Sequence, residues 1–328
     1  MRKLNDRLRI FTWHIHGSYL FYLSQGNFEF YIPVSKDKSN RNIGRGETFP
    51  FANNVIEIAI EEIPDTTFDC ILFQTIDNYT DDQYVILTEE QRRLPRIYLE
   101  HDPPRLHPTD TKHIVQDPDV LIVHVTQFNR LMWDNNNIRT TVIEHGITDP
   151  QINYDGSIEK GIVVINNLPS RGRLLGLDVF NKVRRHIPVD LIGMGTEETG
   201  LGEILHPQLP SFISKYRFFF NPIRYTSFGL AVCEAMMLGV PIVGLATTEM
   251  PSVFQNEVNG IVHNDIDYLI QQMQQLISDK QRAVQIGAAG RETVLKRFNI
   301  NRFTDNWEDV FRLVIKNNKY EQANSLYQ

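Results

Sequence analysis

A glycine and a carboxylate near the start of a predicted helix mark the part of the sequence best suited to bind a phosphorylated ligand. The residues from 217 to 244 predict an apolar strand (217–221), a polar loop, a helix and a second strand (240–244). Gly229 stands where the helix should begin, and the free amides of a helix start suit a diphosphate. Glu234 follows within two turns, where a carboxylate can accept hydrogen bonds from a ribose diol. The same pattern also fits an ordinary strand–helix–strand core unit with Glu234 on a solvated face.

Three predicted strands in the first half of the chain end in polar turns that contain histidine. These strands and the residues that follow them are 8–13 with His16, Gly17 and Ser18, 96–100 with His101, and 140–144 with His145. Open α/β sheets hold their chemistry at the carboxyl ends of strands, so these residues are candidates for a site. The histidines could equally line or cap the strand ends. No G-x-G-x-x-G pattern follows the first strand, which counts against a classical dinucleotide site.

The elements that position these residues divide into two α/β halves. A polar stretch at 148–160 contains Pro150 and Gly156 and lacks apolar periodicity, which is typical of an interdomain linker. We therefore predict one domain over residues 1–150, a second over 151–300 and a final helical segment over 301–328. The second domain should open with a strand at 161–166, and the first should contain a single helix over 81–93.

Composition limits the function further. The 328 residues are 41% hydrophobic and 22% charged, which is a globular composition long enough for two domains. The net charge of −7 argues against a general nucleic-acid-binding role. Cys70 and Cys233 lie in apolar stretches without metal-ligand spacing, so we expect buried thiols in a reducing compartment. No stretch has the length of a signal peptide core or a membrane span, so we expect a cytoplasmic protein, compatible with contact at the inner face of a membrane.

The stretch 222–243 resembles the nucleotide-sugar signature of GT-B glycosyltransferases, especially those of family 4. The resemblance is carried by Pro222, Gly229-Leu230, Glu234-Ala235-Met236 and Gly239-Val240-Pro241. The second Glu of that family's Glu-x₇-Glu pair falls on Glu234, whereas the first falls on Thr226, so one carboxylate is missing. This departure affects the contact that the family makes to the hydroxyls of the donor sugar. From the residues alone, Thr226 or Ser227 could equally be a helix N-cap.

The resemblance implies a fold and a donor site. It implies a GT-B arrangement, in which two Rossmann-like domains face each other across a cleft and the last helix crosses back onto the first domain. It also implies that the amides of Gly229 and Leu230 bind phosphate and that Glu234 holds the ribose. The residues expected to bind the nucleotide-sugar in this half are Thr226, Ser227, Phe228, Gly229, Leu230 and Glu234.

The resemblance extends to the polar segment after the strand at 161–166. Where the family has a lysine that neutralises the leaving diphosphate, this chain has Arg171, directly before Gly172. A guanidinium can bind phosphate oxygens bidentately, and Arg173 could assist. The alternative is that both arginines are solvated in a loop.

In the first half of the chain the resemblance implies three further roles. It places Gly17 and Ser18 at the donor phosphates, and it makes His101 the residue that orients the donor sugar. It puts His16 and His145 on the acceptor side.

We predict neither a metal nor a resident cofactor. None of the ten histidines lies in an H-E-x-x-H or another ligand spacing. Two D-x-D patterns, at 117–119 and 265–267, precede a strand and open a helix, where Asp is a common cap.

The predicted function is transfer of a glycosyl group from a nucleotide-sugar, expected to be a UDP-sugar, to a hydroxyl of a saccharide or lipid-linked acceptor. Retention of the anomeric configuration and a place in polysaccharide or glycoconjugate synthesis follow from the resemblance alone. Two alternatives are a nucleotide-sugar epimerase with the same fold and a non-catalytic nucleotide-sugar-binding protein.

The basic loop at 35–48 is either solvated or in contact with an acidic or lipid-phosphate acceptor.

Overall fold

A computed structural model describes residues 7–38 and 41–325, with side chains as far as Asn318. The chain forms two compact units, which we call unit 1 and unit 2. Unit 1 contains the residues up to Gly146 and those from Ile300 onward, and unit 2 runs from Ile147 to Asn299. Each unit has one parallel sheet with helices, so the predicted α/β class is confirmed.

Unit 1 contains a seven-stranded parallel sheet with the strand order β3-β2-β1-β4-β5-β6-β7. The strands are β1 (Leu8–Thr12), β2 (Phe28–Val34), β3 (Val55–Ala59), β4 (Cys70–Phe73), β5 (Arg96–Glu100), β6 (Val120–His124) and β7 (Thr140–Val142). Strand β1 pairs with β2 on one side and with β4 on the other. The winding of the sheet therefore reverses between β1 and β4, and the carboxyl ends of strands at such a point form a crevice that binds ligands in open α/β sheets.

Five α-helices lie in unit 1 among the described residues. They are α1 (Gly17–Leu23), α2 (Gln83–Ile86), α3 (Glu89–Arg92), α4 (Gln127–Met132) and the last helix of the chain, α12 (Ile300–Ser325). The prediction of one helix over 81–93 is wrong, because the backbone is extended at Leu87 between α2 and α3. Thr88 then starts α3 with a capping box, in which Thr88 and Gln91 each bond the other's backbone amide.

Helix α12 packs against α1 and fixes side chains near the strand ends. The indole of Trp307 is fully buried and donates a hydrogen bond to the Tyr19 hydroxyl at 3.1 Å. The guanidinium of Arg302 donates to the carbonyl oxygens of Glu144 and His145 at 2.9 and 2.6 Å. The end of the chain therefore holds the start of α1 and the turn after β7 in place. Residues 326–328 of the predicted final segment lie outside the described residues.

The basic loop predicted at 35–48 is tied to acidic side chains of unit 1 through Arg41. Its guanidinium donates to both carboxylate oxygens of Asp82, at 2.9 and 2.7 Å, and lies 3.1 Å from Asp77. Residues 39 and 40 of this loop lie outside the described residues.

Unit 2 contains a five-stranded parallel sheet with the order β12-β11-β10-β8-β9. The strands are β8 (Ile158–Val164), β9 (Val189–Ile192), β10 (Tyr216–Asn221), β11 (Ile242–Gly244) and β12 (Ile261–Val262). The winding reverses between β8 and β10, at the centre of this sheet. Strand β8 begins three residues before the predicted 161, because Ile158 already pairs with Tyr216.

Unit 2 contains seven α-helices among the described residues. They are α5 (Leu168–Arg171), α6 (Leu177–Val183), α7 (Leu209–Ile213), α8 (Leu230–Met237), α9 (Met250–Val253), α10 (Ile266–Ser278) and α11 (Lys280–Arg297). Asp265 accepts hydrogen bonds from the amides of Asp267 and Tyr268, so the predicted capping role is confirmed for this D-x-D pattern. Asp117 likewise accepts from the amide of Asp119 at 2.9 Å.

Both cysteines of the chain, Cys70 and Cys233, are buried thiols, as predicted. None of the helices in the described part of the chain is both long enough and apolar enough to cross a membrane.

Candidate functional site

A small cavity of about 70 Å³ opens in unit 2 where the winding of the sheet reverses. It lies at the carboxyl ends of β8 and β10, with Val164 and Asn221 among its lining residues. Four residues of the predicted donor site line it, namely Thr226, Ser227, Phe228 and Gly229. Leu230 and Glu234 do not line this cavity but follow it along α8.

Gly229 is the N-cap of α8 and has ordinary extended backbone angles, φ −76° and ψ 139°. No described atom lies within 4 Å of the position that a Cβ atom would occupy there. Neither the backbone nor the packing therefore requires a glycine at this position. Gly229 has no side chain with which to cap the first turn of α8, whose amides carry the positive end of the helix dipole. This helix start can accept an anion.

The hypothesis that Thr226 or Ser227 is the helix N-cap is wrong, because the helix begins after Gly229. Both residues are half-buried and line the cavity beside the cap. Phe228 is 3% exposed and stacks on Phe298, with ring centroids 5.3 Å apart and an interplanar angle of 15°. Phe228 thus anchors the loop in the core of unit 2, and this holds Thr226, Ser227 and Gly229 at the cavity.

Glu234 is oriented by a histidine that the sequence analysis did not identify. Glu234 Oε1 lies 3.4 Å from His206 Nε2, and the two side chains are 16% and 14% exposed. His206 lies in the short 3₁₀ helix His206–Gln208, directly before α7. Nothing in the sequence connects these two residues, since they lie 28 positions apart and meet only through tertiary packing.

Arg171 and Arg173 lie in consecutive helical turns after β8 rather than in an open loop. Arg171 is the exposed last residue of α5, and Gly172 follows with φ +57°. Arg173 bonds Asp178 at 2.8 Å. Asp178 also accepts hydrogen bonds from both terminal nitrogens of the Arg224 guanidinium, at 2.5 and 2.8 Å, and this contact lowers the pKa of the Asp178 carboxyl. The charge of Arg173 is therefore shared with an acidic residue.

A close backbone contact brings this arginine segment to the loop that follows β10. Gly176 has φ +82°, and a Cβ atom there would lie 2.0 Å from the Pro222 carbonyl oxygen. The Arg224 guanidinium also donates to the Arg173 carbonyl oxygen at 2.9 Å. Only glycine permits this approach, so Gly176 sets the distance between the two loops.

Unit 1 has a larger cavity, of about 370 Å³, at the carboxyl ends of β4 and β5. Of the predicted site residues, His16 and His101 line it, whereas Gly17, Ser18 and His145 do not. We call this the unit 1 cavity. It lies next to the point where the winding of the seven-stranded sheet reverses.

The predicted histidines come together around one aromatic ring. The rings of His16 and His101 are 3.9 Å apart between centroids, and Tyr19 contacts His101 edge-on at 5.0 Å. Tyr19 also lies 5.7 Å from His145, so a single tyrosine contacts two of the three histidines. Burial lowers the pKa of His101 well below its usual range, and the neighbouring histidines add to this effect. Burial also lowers the pKa of His16, so both rings are neutral at pH 7.

Gly17 has a packing explanation within unit 1. A Cβ atom at Gly17 would lie 2.3 Å from the Phe49 ring, which requires a residue without a side chain. Gly17 begins α1, with His16 as its N-cap, and Ser18 lies in the first turn. The glycine that the sequence analysis assigned to the donor phosphates is thus already needed for packing.

The structure adds polar residues to the unit 1 cavity that the sequence analysis missed. Glu100, the last residue of β5, has its Oε2 atom 3.1 Å from Nε2 of the buried His113. The amide of Val115 donates to His113 Nδ1 at 3.1 Å, so Nε2 carries the proton of the neutral ring. Gln74 also lines the cavity, directly after β4. Glu100 stands at the end of the predicted strand 96–100, and that position was a usable signal.

The described residues contain no group of three or more His, Cys, Asp and Glu side chains that could hold a metal ion.

Comparison with known proteins identifies a related family and a related enzyme. Residues 177–309 match the model of a glycosyl transferase-like family. N-acetyl-alpha-D-glucosaminyl L-malate synthase from Bacillus anthracis is 30% identical to this chain over 95 residues. The matched residues are 28% of this chain and 25% of the relative, so the chain spans about a quarter of that relative's length.

Solved structures resemble the whole described fold. Sucrose-phosphate synthase from Thermosynechococcus elongatus has a TM-score of 0.69 at 14% identity, covering 94% of this chain and 100% of that one. Anabaena HepE, in complex with UDP, has a TM-score of 0.64 at 12% identity and covers 93% of this chain and 99% of that one. The family match and the shared GT-B fold confirm the predicted resemblance to GT-B glycosyltransferases.

Proposed function

For a chain with the fold of GT-B glycosyltransferases, we propose the transfer of a glycosyl group from a UDP-sugar to an acceptor hydroxyl. The observation that carries this proposal is Gly229, a glycine that the folded chain does not require, at the start of α8. A helix start that is open to an anion suits the diphosphate of a nucleotide-sugar. The choice of UDP is supported by HepE, whose structures contain UDP and UDP-glucose.

The donor would bind through groups of unit 2 that the structure fixes in place. The amides of Gly229 and Leu230 would bind phosphate oxygens, and Glu234, oriented by His206, would accept hydrogen bonds from the ribose diol. The reaction requires that the leaving diphosphate be stabilised while positive charge develops on the sugar. Fixed amides and a guanidinium can meet this requirement without a metal.

Arg171 is the cation we assign to the leaving diphosphate. It is exposed at the end of α5, close in sequence to the segment that Gly176 holds against the loop after β10. Arg173 shares its charge with Asp178 and therefore contributes less. Thr226 replaces the family's first glutamate at the cavity, and its hydroxyl can bond a sugar hydroxyl without adding charge.

In unit 1 the neutral His101 would orient the donor sugar by hydrogen bonding rather than by charge. His16, in contact with His101, would lie on the acceptor side. Gly17 and Ser18 are assigned to the phosphates by resemblance only. The packing of Gly17 against Phe49 by itself explains why a glycine stands at this position. Retention of the anomeric configuration is likewise proposed from the family.

Incubation with a panel of UDP- and GDP-sugars tests the proposal, with NMR to follow the anomeric carbon of the product. A glycosyltransferase should release nucleoside diphosphate by slow hydrolysis and faster with an acceptor, whether or not a chelator is present. An epimerase would convert the donor without any acceptor, and a binding protein would leave the donor unchanged. Either of those results would contradict the proposal.

A further inference from the structure

Thr248 lines the cavity of unit 2 in a backbone conformation that threonine rarely adopts. Its φ is +51°, in the left-handed region. A β-branched residue is strained in this region, and such strain persists only where the surrounding structure imposes it. Thr248 follows β11 and lines the same cavity as Thr226 and Gly229. The strained residue therefore lies beside the helix start at which we place the diphosphate.

The residues before Thr248 are tied to neighbouring segments of unit 2. We call residues 245–249 the β11 loop. The Thr247 hydroxyl donates to the Ile223 carbonyl oxygen at 3.1 Å, and the Asn264 side chain donates to the Ala246 carbonyl oxygen at 3.2 Å. These two contacts fix the first part of the β11 loop, up to the residue directly before Thr248.

The residue after Thr248 is held by Arg297, the last residue of α11. Glu249 is 5% exposed, and its Oε1 lies 3.3 Å from Arg297 Nη2. Arg297 Nη1 donates to the Ser252 carbonyl oxygen at 2.7 Å, and the Ser252 hydroxyl donates to Glu249 Oε1. Separating a buried carboxylate from its cation is costly, so Glu249 is fixed in this position. Thr248 thus lies between two anchored residues, which explains how its strained conformation is maintained.

The residue that follows Arg297 holds the other loop at this cavity. Phe298 stacks on Phe228, which anchors the loop that carries Gly229. The Arg297 guanidinium lies over the Phe298 ring, 5.4 Å from its centroid. Two consecutive residues at the end of α11 therefore fix both the loop with Gly229 and the loop with Thr248.

The lining of the cavity favours a phosphate oxygen as the partner of the Thr248 hydroxyl. Among the described residues that line it there is no Lys, Arg, Asp or Glu. Hydroxyls, a side-chain amide and backbone amides are therefore the groups that can contact a ligand there. A threonine hydroxyl can donate one hydrogen bond, and the adjacent helix start already favours an anion.

We propose that Thr248 donates a hydrogen bond to the diphosphate of the donor, and that Arg297 positions Thr248 through Glu249 and Ser252. This inference rests on the proposed function, because it takes the diphosphate to lie at the start of α8.

Titration calorimetry of the full-length protein with UDP tests the role of Thr248. Thr248→Gly should weaken UDP binding by about tenfold, as expected for the loss of one hydrogen bond to a charged group. Its thermal midpoint should not fall, because glycine adopts a positive φ without strain. Thr248→Ser keeps the hydroxyl and should bind UDP within about twofold of the wild type. Gln151→Gly is the matched control, since Gln151 also has a positive φ, of +57°, and does not line the cavity.

Two results would overturn the role of Thr248. One is unchanged UDP affinity in Thr248→Gly. The other is an equal loss of affinity in Thr248→Gly and Thr248→Ser, because the hydroxyl would then make no difference.

The variant Arg297→Lys tests the positioning role. Lysine keeps a positive charge beside Glu249, so the protein should fold, but it lacks the planar fork that contacts Glu249 and Ser252 together. UDP affinity should fall by about threefold to tenfold. The double variant Arg297→Lys/Thr248→Gly should bind UDP no more weakly than Thr248→Gly alone, because both changes remove the same contact. Arg282→Lys, on the same helix and 3.1 Å from Glu257, should leave UDP binding unchanged.

Normal UDP affinity in Arg297→Lys, or losses that simply add in the double variant, would refute the positioning role. A wild-type protein that does not bind UDP would contradict the proposed function itself, and this inference with it. UDP binding that is insensitive to Thr248 would contradict only the inference.

Discussion

At Gly229 the backbone angles are ordinary and the space around the missing side chain is open. Gly176 differs, because its positive φ and its contact with Pro222 leave room for no other residue. The two glycines look alike in the sequence, and only the structure separates the one that the fold requires from the one that it does not. Gly229 is therefore the better indicator of a ligand.

Replacing Gly229 with alanine should weaken UDP binding without unfolding the protein. The new methyl group would occupy the space through which a diphosphate approaches the amides of α8, so we expect a loss of about tenfold in affinity. The free energy of unfolding should change by no more than about 0.5 kcal/mol, because no protein atom is displaced. Isothermal titration with UDP and urea denaturation measure the two quantities. Unchanged UDP affinity in the folded variant would argue against this helix start as the phosphate site.

Several single residues of the site were predicted from the sequence, and others could not be. Gly229 stood out because a strand, a loop and a helix start surround it in the sequence. His206 could not be identified with its role, because it gains that role from Glu234, a partner distant along the chain. The alternative that Thr226 or Ser227 caps the helix is wrong, since the chain turns into α8 only after Gly229, where the helix start was predicted.

Among the elements, the segment between α5 and α6 determines where Arg171 and Arg173 lie. Gly176 allows this segment to touch the loop after β10, and Asp178 links it to Arg224. The positions of these arginines thus depend on Gly176 and Asp178, which are not among the proposed donor-binding residues.

Replacing Gly176 with alanine should destabilise unit 2 by about 2–4 kcal/mol, because the residue combines a positive φ with a clash against backbone. UDP affinity should fall as well, since the arginine segment would be displaced. Urea denaturation followed by circular dichroism measures the first effect, and Gly229→Ala is the matched control. If both alanine variants were equally stable, the close approach to Pro222 would not be a constraint on the fold.

Strands were predicted more accurately than helices. Strands β5 and β10 begin and end within one residue of the prediction, because apolar runs bounded by turn residues are specific signals. Strand β3 was not predicted. Its five residues include a glutamate and lie at the edge of the sheet, so no continuous apolar run marks the strand. The predicted helix over 81–93 is two helices, because the capping box of Thr88 and Gln91 outweighs continuous helical propensity.

On the scale of the whole molecule, buried neutral histidines couple stability to pH. Burial lowers the pKa of His14, His16, His101 and His124, and that of His124 to about 4. Below pH 6.5 the unfolded chain binds protons on these residues, whereas the folded chain does not until the lower pKa is reached. Stability is therefore complete above pH 6.5 and decreases as the pH falls below it.

The variant His124→Gln should reduce this dependence. Between pH 6.5 and about 4 the free energy of unfolding should fall less steeply than in the wild type, by about 1.4 kcal/mol per pH unit. Urea denaturation at a series of pH values measures the slope, and the exposed His186→Gln variant is the control. An unchanged slope in His124→Gln would show that this histidine is not held neutral by the fold.

The overall fold could be predicted because one motif, at 222–243, resembles a family whose architecture is known. The unit 1 cavity could not be predicted, since it forms only where the ends of β4 and β5 lie side by side in the folded sheet.

A crystal structure of the protein with UDP would show whether the diphosphate binds at the start of α8. The diphosphate oxygens should lie about 2.7–3.2 Å from the amide nitrogens of Gly229 or Leu230. The Arg171 guanidinium should contact the same phosphates, and Glu234 should accept hydrogen bonds from the ribose. UDP bound at a position remote from both Gly229 and Arg171 would contradict the claim.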